Sequence, residues 1–206
     1  MRLHTLPLGH LATNCYILAD ETTHDAIVVD APANAEMIIN FLEEHGYHLT
    51  EIVLTHGHYD HVLALKQLKE VTGAPLAVHE NGKDFLKDGI NNLCHYVGIA
   101  WTPVEADRYL KDGDTVMVGN TPLQVLHTPG HTSDCICLYG EGILISGDTL
   151  FQMSVGRCDH PTGSLPQEVQ SINSKLMVLP DSTVVYPGHG PKTTIGDERK
   201  GNPYLQ

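Results

Sequence analysis

The sequence predicts a mixed, layered α/β fold, and three observations lead to that class. Short apolar runs rich in Val, Ile, Leu and Tyr recur along the 206 residues and are bounded by Gly, Pro, Asp and Asn, as strands are. Segments with an apolar residue every three or four positions stand between some of these runs, as amphipathic helices would. Strands outnumber helices and do not alternate strictly with them, which favours a layered arrangement over a doubly wound parallel sheet.

Eight apolar runs are predicted to be strands, because each is short and ends at turn-forming residues. In chain order they are Asn14 to Ala19, Ala26 to Val29, Glu51 to Thr55, Leu76 to His79, Leu123 to His127, Cys135 to Tyr139, Ile143 to Ser146 and Thr183 to Tyr186.

Three segments are predicted to be helices. Asn34 to Gly46 has a polar start, helical apolar spacing and a glycine stop. Asp60 to Gly73 has the same pattern, with Asp60 as the predicted N-cap. Pro166 to Pro180 is the third. The segment Gly89 to Asp107 is the least regular long piece, and it is interpreted either as a loop over a site or as a surface loop anchored by its aromatic residues.

Composition limits the domain organisation and the partners. A hydrophobic content of 41% over 206 residues predicts one domain, residues 1–206, with a sizeable core. A formal charge of -13 argues against binding nucleic acid or an anionic membrane and favours a small-molecule partner. The sequence makes no prediction of oligomeric state.

Cysteine usage and the first residues predict a cytoplasmic protein. The amino-terminal stretch lacks the pattern of a signal peptide, and no run approaches the length of a membrane span. The five cysteines form no secreted-domain pattern. Cys135 and Cys137 are expected to pack within a strand, with metal binding as the less favoured alternative.

The stretch "THGHYDH" concentrates potential metal ligands in one turn. His56 and His58 follow the predicted strand Glu51 to Thr55 and can project to the same side, whereas Asp60 and His61 begin a helix. This spacing predicts two neighbouring metal sites better than one. Imidazole and carboxylate suit zinc, iron and manganese alike, and the remaining ligands must come from distant sequence.

Three later loops offer such ligands, and each follows a predicted strand. His131 lies in "TPGHTSD", Asp148 in "SGDTLF" and His189 in "YPGHG". Each residue alone is more commonly a surface residue or, for Asp148, a turn or helix cap. Together with the histidine turn they predict a metal centre. The other nine histidines lack this spacing and are predicted to be structural or exposed.

These four motifs, in this order, resemble the metallo-β-lactamase superfamily, and within it the compact bacterial hydrolases related to glyoxalase II (hydroxyacylglutathione hydrolase). The resemblance implies an αβ/βα sandwich of two mixed β-sheets flanked by helices, with a binuclear metal site along one edge. It also implies seven ligands. The first ion would be held by His56, His58 and His131, the second by Asp60, His61 and His189, and Asp148 would bridge the two.

The function implied by the resemblance is thioester hydrolysis of the glyoxalase II type, on a substrate like S-D-lactoylglutathione. Two divalent ions, zinc first and iron or manganese as alternatives, would hold the attacking hydroxide between them. Asp60 and Asp148 would be the catalytic carboxylates. Arg157, in "SVGRCD", matches the position of a basic residue that contacts a glutathione carboxylate, although an arginine tied to Asp159 is an equal alternative.

The carboxyl end departs from the glyoxalase II pattern. Only 17 residues follow His189, so the helical glutathione-binding domain of full-length glyoxalase II is not expected, and a different small ester or thioester is an alternative substrate. A persulfide dioxygenase with one iron is the alternative from another reaction class. A metal-stabilised scaffold is disfavoured because all seven ligand positions are filled, and antibiotic hydrolysis and RNA processing are disfavoured too.

Overall fold

The structure, a computed structural model, describes residues 1–205 and has two six-stranded mixed sheets with helices on their outer faces. The predicted α/β sandwich is therefore confirmed. The strands are β1 Arg2–Leu8, β2 Thr13–Ala19, β3 Asp25–Val29, β4 His48–Val53, β5 Leu76–His79, β6 Arg108–Leu110, β7 Thr115–Val118, β8 Thr121–His127, β9 Ile136–Gly140, β10 Ile143–Gly147, β11 Leu150–Phe151, β12 Ser154–Val155, β13 Val184–Pro187 and β14 Thr193–Thr194. The helices are α1 Ala35–Glu44, α2 Tyr59–Val62, α3 Leu65–Thr72, α4 Lys83–Lys87, α5 Leu165–Ser171 and α6 Ile195–Gly201.

The first sheet has the order β1-β2-β3-β4-β5-β6, and the second has the order β14-β13-β10-β9-β8-β7. Strands β3, β4, β5 and β6 run parallel to one another, and β10 runs parallel to β13. Because β8 and β10 are both antiparallel to β9, they share one direction with β13. The carboxyl ends of β8, β10 and β13 therefore lie at one edge of the second sheet.

Alternation along the strands divides the core into layers. Leu18 and Ile145 belong to a cluster between the two sheets, whereas their neighbours Ile17 and Leu144 point to the opposite faces. Ile17 packs in the cluster that contains residues of α1 and α3. Leu144 packs with Ile195 of α6. The fold is thus a four-layer stack of helices, sheet, sheet and helices, with a mainly apolar core between the layers.

Three predictions about the elements need correction. The predicted helix 60–73 is two helices, α2 and α3, because the helix is interrupted between Val62 and Leu65. Asp60 lies inside the first turn of α2, and His58 takes the N-cap position in extended conformation. The predicted helix 166–180 is α5 followed by a π-helical turn, Ile172–Leu176.

Several helices and strands of the structure were not predicted from the sequence. The prediction missed β1, β6, β7, the β11–β12 hairpin, β14, α4 and α6. Among the residues described, no helix is long and apolar enough to cross a membrane.

Candidate metal centre

Five loops that follow strands meet at one edge of the sandwich. Asp30 follows β3, the histidine turn follows β4, and the loops after β8, β10 and β13 carry His131, Asp148 and His189. Backbone hydrogen bonds join the two sheets at this edge: the Ile136 N–H donates to the Thr55 carbonyl at 2.9 Å. The fold therefore brings both halves of the predicted site together.

All seven predicted ligands converge. They form three groups, each with candidate ligand atoms within 4.8 Å of one another, and two residues, His56 and His61, belong to two groups. They are His56, His58 and His131; His56, His61 and Asp148; and Asp60, His61 and His189. The ligand roles remain a prediction, but the positions fit two adjacent sites.

Asp148 lies between the two proposed sites. Its Oδ2 is 3.6 Å from Nε2 of His131 and also 3.6 Å from Nε2 of His189, while its Oδ1 is 3.4 Å from Nε2 of His61. Asp60 Oδ2 is 3.1 Å from Nε2 of His189. One carboxylate thus faces the histidines of both groups, as a bridging ligand must.

Buried polar atoms without partners support a fit to metal ions. Nε2 of His56 and His61 and Oδ1 of Asp148 are buried and find no hydrogen-bond partner within residues 1–205. An unpaired buried polar atom is costly, so a native site normally gives it a partner or an ion. Nδ1 of His58 lies 2.9 Å from Nε2 of His131, a separation that a shared proton or a shared ion explains.

A hydrogen-bond network behind the ligands fixes their orientation. The His61 Nδ1–H donates to Asp30 Oδ2 at 2.7 Å, and the Thr55 hydroxyl donates to the same oxygen at 2.7 Å. Thr55 can then accept from Nδ1 of His56, 3.2 Å away. His131 donates from Nδ1 to the Arg157 carbonyl at 2.7 Å. In each of these histidines Nδ1 is engaged by the network and Nε2 is left to face the centre. Hydrogen bonds behind a metal site orient ligating histidines in the same way.

Neither Asp30 nor Thr55 was singled out in the sequence. Asp30 has a φ of 62°, a left-handed conformation that is uncommon outside Gly, Asn and Asp, and its carboxylate is buried. Its place directly after a buried strand is the one sequence signal available. Gly188 was also passed over: any Cβ there would overlap the Asp148 carboxylate, so only glycine lets the His189 loop approach.

Burial and neighbouring charges give the two groups different protonation. Burial, reinforced by the surrounding histidines, lowers the pKa of His56 well below its ordinary value. Burial also lowers the pKa of His58, with His131 adding to the effect. These imidazoles are neutral at pH 7, the form that binds metals.

In the second group, neighbouring charges outweigh burial in setting the pKa values. Burial works to lower the pKa of His61, but the carboxylates of Asp148 and Asp30 outweigh it and raise that pKa well above its ordinary value. Burial likewise works to raise the pKa of Asp148, but His61 outweighs it and lowers that pKa. Asp148 is therefore ionised at pH 7 and can serve as an anionic ligand.

A cavity of about 870 Å³ opens onto this centre. Asp60, Asp148 and His189 line it, and so do Arg157 and His160, whose ring centroid is 5.6 Å from that of His58. His160 was predicted to be structural or exposed, so its presence in the cavity was missed.

Arg157 contacts Asp159 through one edge of its guanidinium, with Nε and Nη2 each 2.8 Å from a carboxylate oxygen. Cys135 and Cys137 are both buried, as their predicted packing requires; Cys137 lies in β9 and Cys135 directly precedes it.

Fold and site together define a metal-dependent enzyme of the hydrolase type. The family model of the metallo-beta-lactamase superfamily matches residues 8–189, so the chain belongs to that superfamily. The hydroxyacylglutathione hydrolase GloC of Haemophilus influenzae is 32% identical, covering 100% of this chain and 98% of that protein. The probable metallo-hydrolase YqgX of Bacillus subtilis is 33% identical over the same shares of the two chains.

Several proteins of known structure have the same fold as this chain and carry different functional descriptions. The BLEG-1 B3 metallo-beta-lactamase has a TM-score of 0.94 at 34% identity, with 100% of both chains covered. TTHA1623 in a di-iron-bound form has a TM-score of 0.88 at 32% identity, covering 98% of this chain and 100% of that one. ETHE1 from Myxococcus xanthus has a TM-score of 0.85 at 31% identity, covering 98% and 84%.

Proposed function

We propose that this protein hydrolyses small thioesters of the S-D-lactoylglutathione type, using two divalent metal ions. The observation that carries the proposal is the position of Asp148, whose two oxygens face histidines of both ligand groups. The first ion would be held by His56, His58 and His131, the second by Asp60, His61 and His189, with Asp148 shared between them. Zinc is the first candidate, and the di-iron form of TTHA1623 supports iron as the alternative.

When bound, such ions supply Lewis acidity that polarises a carbonyl and lowers the pKa of water toward neutrality. Asp148 keeps its charge at neutral pH and holds the two halves of the site together. Asp60 Oδ2 accepts the Thr13 hydroxyl at 3.1 Å, which fixes the carboxylate at the cavity wall. Asp60 would thereby orient the attacking water by accepting its hydrogen.

Thioester chemistry suits the groups that line the cavity. A leaving thiolate needs little help from a general acid, because a thiol has a pKa near 8.5, far below that of an alcohol. The site therefore needs a nucleophile and an oxyanion partner more than it needs a proton donor. Similarity to GloC supports this substrate class. Arg157 lines the cavity and would pair with a substrate carboxylate only by releasing Asp159.

The second candidate is a persulfide dioxygenase with a single iron, which the similarity to ETHE1 favours. Imidazole and carboxylate ligands suit iron as well as zinc, so the donor set does not separate the two reactions. The reactions themselves do, since only the dioxygenase consumes oxygen.

The test compares wild type with Asp148→Asn on three reactions. Hydrolysis of S-D-lactoylglutathione is expected in the wild type and is expected to fall at least about a hundredfold in the variant, because the shared anionic ligand is lost. Oxygen uptake with glutathione persulfide and hydrolysis of a β-lactam, the reaction named for BLEG-1, are the comparison reactions. Oxygen uptake without thioester hydrolysis would overturn the proposal, and unchanged hydrolysis by Asp148→Asn would overturn the bridging role.

A further inference from the structure

The cavity above the metal centre has an apolar outer wall. Five side chains, which we call the apolar rim, form it: Leu11, Leu93, Tyr96, Val97 and Phe151. Three of them are unusually exposed for their type, with Leu11 at 47%, Tyr96 at 65% and Val97 at 47% of their surface open to solvent. Exposed apolar side chains that gather around a cavity mark a surface that contacts a ligand.

Three separate chain segments build this rim, so it is a constructed feature of the fold. Leu11 lies in the turn between β1 and β2, and Phe151 lies in β11. Tyr96 and Val97 lie in the loop between α4 and β6. That loop is tied to the ligand helix α2, because the Tyr59 N–H donates to the Asn92 carbonyl at 2.8 Å.

The same loop is anchored at its far end, where Trp101 Nε1 donates to the Leu86 carbonyl at 2.9 Å. Both interpretations of this segment from the sequence therefore hold: it borders the site, and an aromatic residue anchors it.

The cavity has too few cationic side chains to pair with the two carboxylates of a glutathione group. Glutathione carries two carboxylates and one ammonium, and Arg157 is the one Lys or Arg side chain that lines the cavity among residues 1–205. Asp159 already pairs with Arg157 through the Nε–Nη2 edge of the guanidinium and offsets its charge, and both side chains are about two-thirds exposed, at 64% and 67%. The net charge of -13 adds a field that repels anions.

We infer that the preferred substrate is a thioester with an uncharged thiol and an apolar acyl group that packs against the apolar rim. This inference rests on the proposed thioester hydrolysis and narrows its substrate. The scissile carbonyl lies at the metal end of the cavity, and the acyl chain extends along Tyr96 and Val97. Apolar contact discriminates among acyl groups by the area that each one buries.

The experiment uses thioesters of the neutral thiol N-acetylcysteamine with acetyl, butanoyl and hexanoyl groups, beside S-D-lactoylglutathione. The metal-loaded wild type is expected to gain about fourfold in kcat/KM per added methylene, which is the effect of burying one such group. The hexanoyl compound is then expected to exceed S-D-lactoylglutathione by at least about tenfold.

Two variants, Val97→Ser and its control Val178→Ser, test whether the gain in kcat/KM per methylene depends on the apolar rim. Val178 is 71% exposed and does not line the cavity. Val97→Ser is expected to reduce the gain per methylene by about half, because part of the apolar wall is replaced by a hydroxyl. Val178→Ser is expected to retain the wild-type gain.

The outcomes separate this inference from the proposed function. If thioesters are hydrolysed but the rate does not depend on acyl length, or S-D-lactoylglutathione is preferred, the inference is wrong and the proposed function stands. If Val97→Ser and Val178→Ser reduce the gain equally, the rim is not the binding surface. If no thioester is hydrolysed, the proposed function is wrong and the inference falls with it.

Discussion

Asp30 connects the ligands of the two proposed metal ions at the scale of single residues. It accepts from Nδ1 of His61 at 2.7 Å and from the hydroxyl of Thr55, which in turn faces Nδ1 of His56 at 3.2 Å. In the proposed assignment His56 is a ligand of the first ion and His61 is a ligand of the second. The buried carboxylate thus sets the ring orientation in both groups without touching the cavity.

Asp30→Asn is expected to weaken metal binding by about ten- to a hundredfold, because an amide cannot accept from His61 and Thr55 as a carboxylate does. The substitution keeps the shape of the side chain, and Asn tolerates the left-handed backbone at this position. Competition with a chromophoric zinc chelator measures the affinity.

Asp25→Asn is the matched control, because Asp25 lies at the other end of β3 and its carboxylate faces exposed His48 at 3.3 Å. Equal affinities for wild type, Asp25→Asn and Asp30→Asn would contradict the role of Asp30.

At the scale of elements, a histidine stack joins the ends of β5 and β8. The rings of His79 and His127 lie 3.8 Å apart and nearly parallel, at 14°. Burial and the adjacent His127 lower the pKa of His79 to about 4, although Glu80 and Asp112 work in the other direction. This contact between the two sheets is therefore sensitive to acid.

The sign of the pH effect follows from this shift. The unfolded chain protonates His79 near pH 6.5, whereas the folded chain does so only near pH 4, so the unfolded state holds more protons between these values. Stability is expected to fall as pH drops from about 6.5 to about 4, with a contribution of at most about 1.4 kcal/mol per pH unit.

Urea unfolding of metal-loaded wild type and His79→Gln between pH 7 and pH 5 measures this contribution. The variant is expected to lose less stability over that range, whereas His95→Gln, at an exposed histidine, is expected to follow the wild type. Parallel pH curves for wild type and His79→Gln would contradict this account of His79.

The carboxyl-terminal helix α6 holds the β11–β12 hairpin that carries Phe151 into the cavity. Glu198 is fully buried and accepts the Met153 N–H at 2.8 Å and the Thr193 hydroxyl at 2.6 Å. Asn202 Nδ2 donates to the Ser154 carbonyl at 3.1 Å. The hairpin wall of the cavity thus depends on a helix that contributes no lining side chain itself.

Glu198→Ala is expected to raise KM for a thioester severalfold with a smaller effect on kcat, because the hairpin loses its anchor while the metal ligands keep theirs. Glu198→Gln is the conservative control: its carbonyl can accept from Met153, and its amide can donate to the Thr193 hydroxyl. Steady-state kinetics on both variants measure the effect. A loss of kcat with unchanged KM in Glu198→Ala would argue against this positioning role.

Periodicity and turn residues predicted the central strands well, because buried apolar runs such as β3, β5 and β10 dominate their local sequence. The missed elements lack that signal. Strand β1 is mostly exposed or half-buried and contains a proline, and α6 presents "IGDERKG", which has no apolar repeat. Their formation depends on pairing with β2 and on the buried contacts of Glu198, which are tertiary effects.

The convergence of the seven proposed ligands was predictable, because dense histidine motifs follow strands whose ends share one edge. The hydrogen-bond network behind these ligands was not predictable. Asp30 lies 31 residues from His61, and its local sequence is that of an ordinary turn aspartate. The apolar rim was also hidden, because Leu11, Tyr96 and Phe151 meet only after the chain has folded.

At the scale of the whole molecule, the centre lies where the two sheets join. One ligand group combines His56 and His58 from the loop after β4 with His131 from the loop after β8. The second combines Asp60 and His61 of α2 with His189, which follows β13. Each proposed ion therefore takes ligands from both halves of the sandwich, so metal binding and the alignment of the two sheets support each other.

The metal content of the purified protein tests this account most directly. Elemental analysis by mass spectrometry is expected to give two divalent ions per chain in the wild type and a clear loss from that value in Asp148→Asn, in the same preparations whose thioester hydrolysis is measured. Full thioesterase activity with a single ion per chain, or an unchanged content of two ions in Asp148→Asn, would contradict the shared centre proposed for this protein.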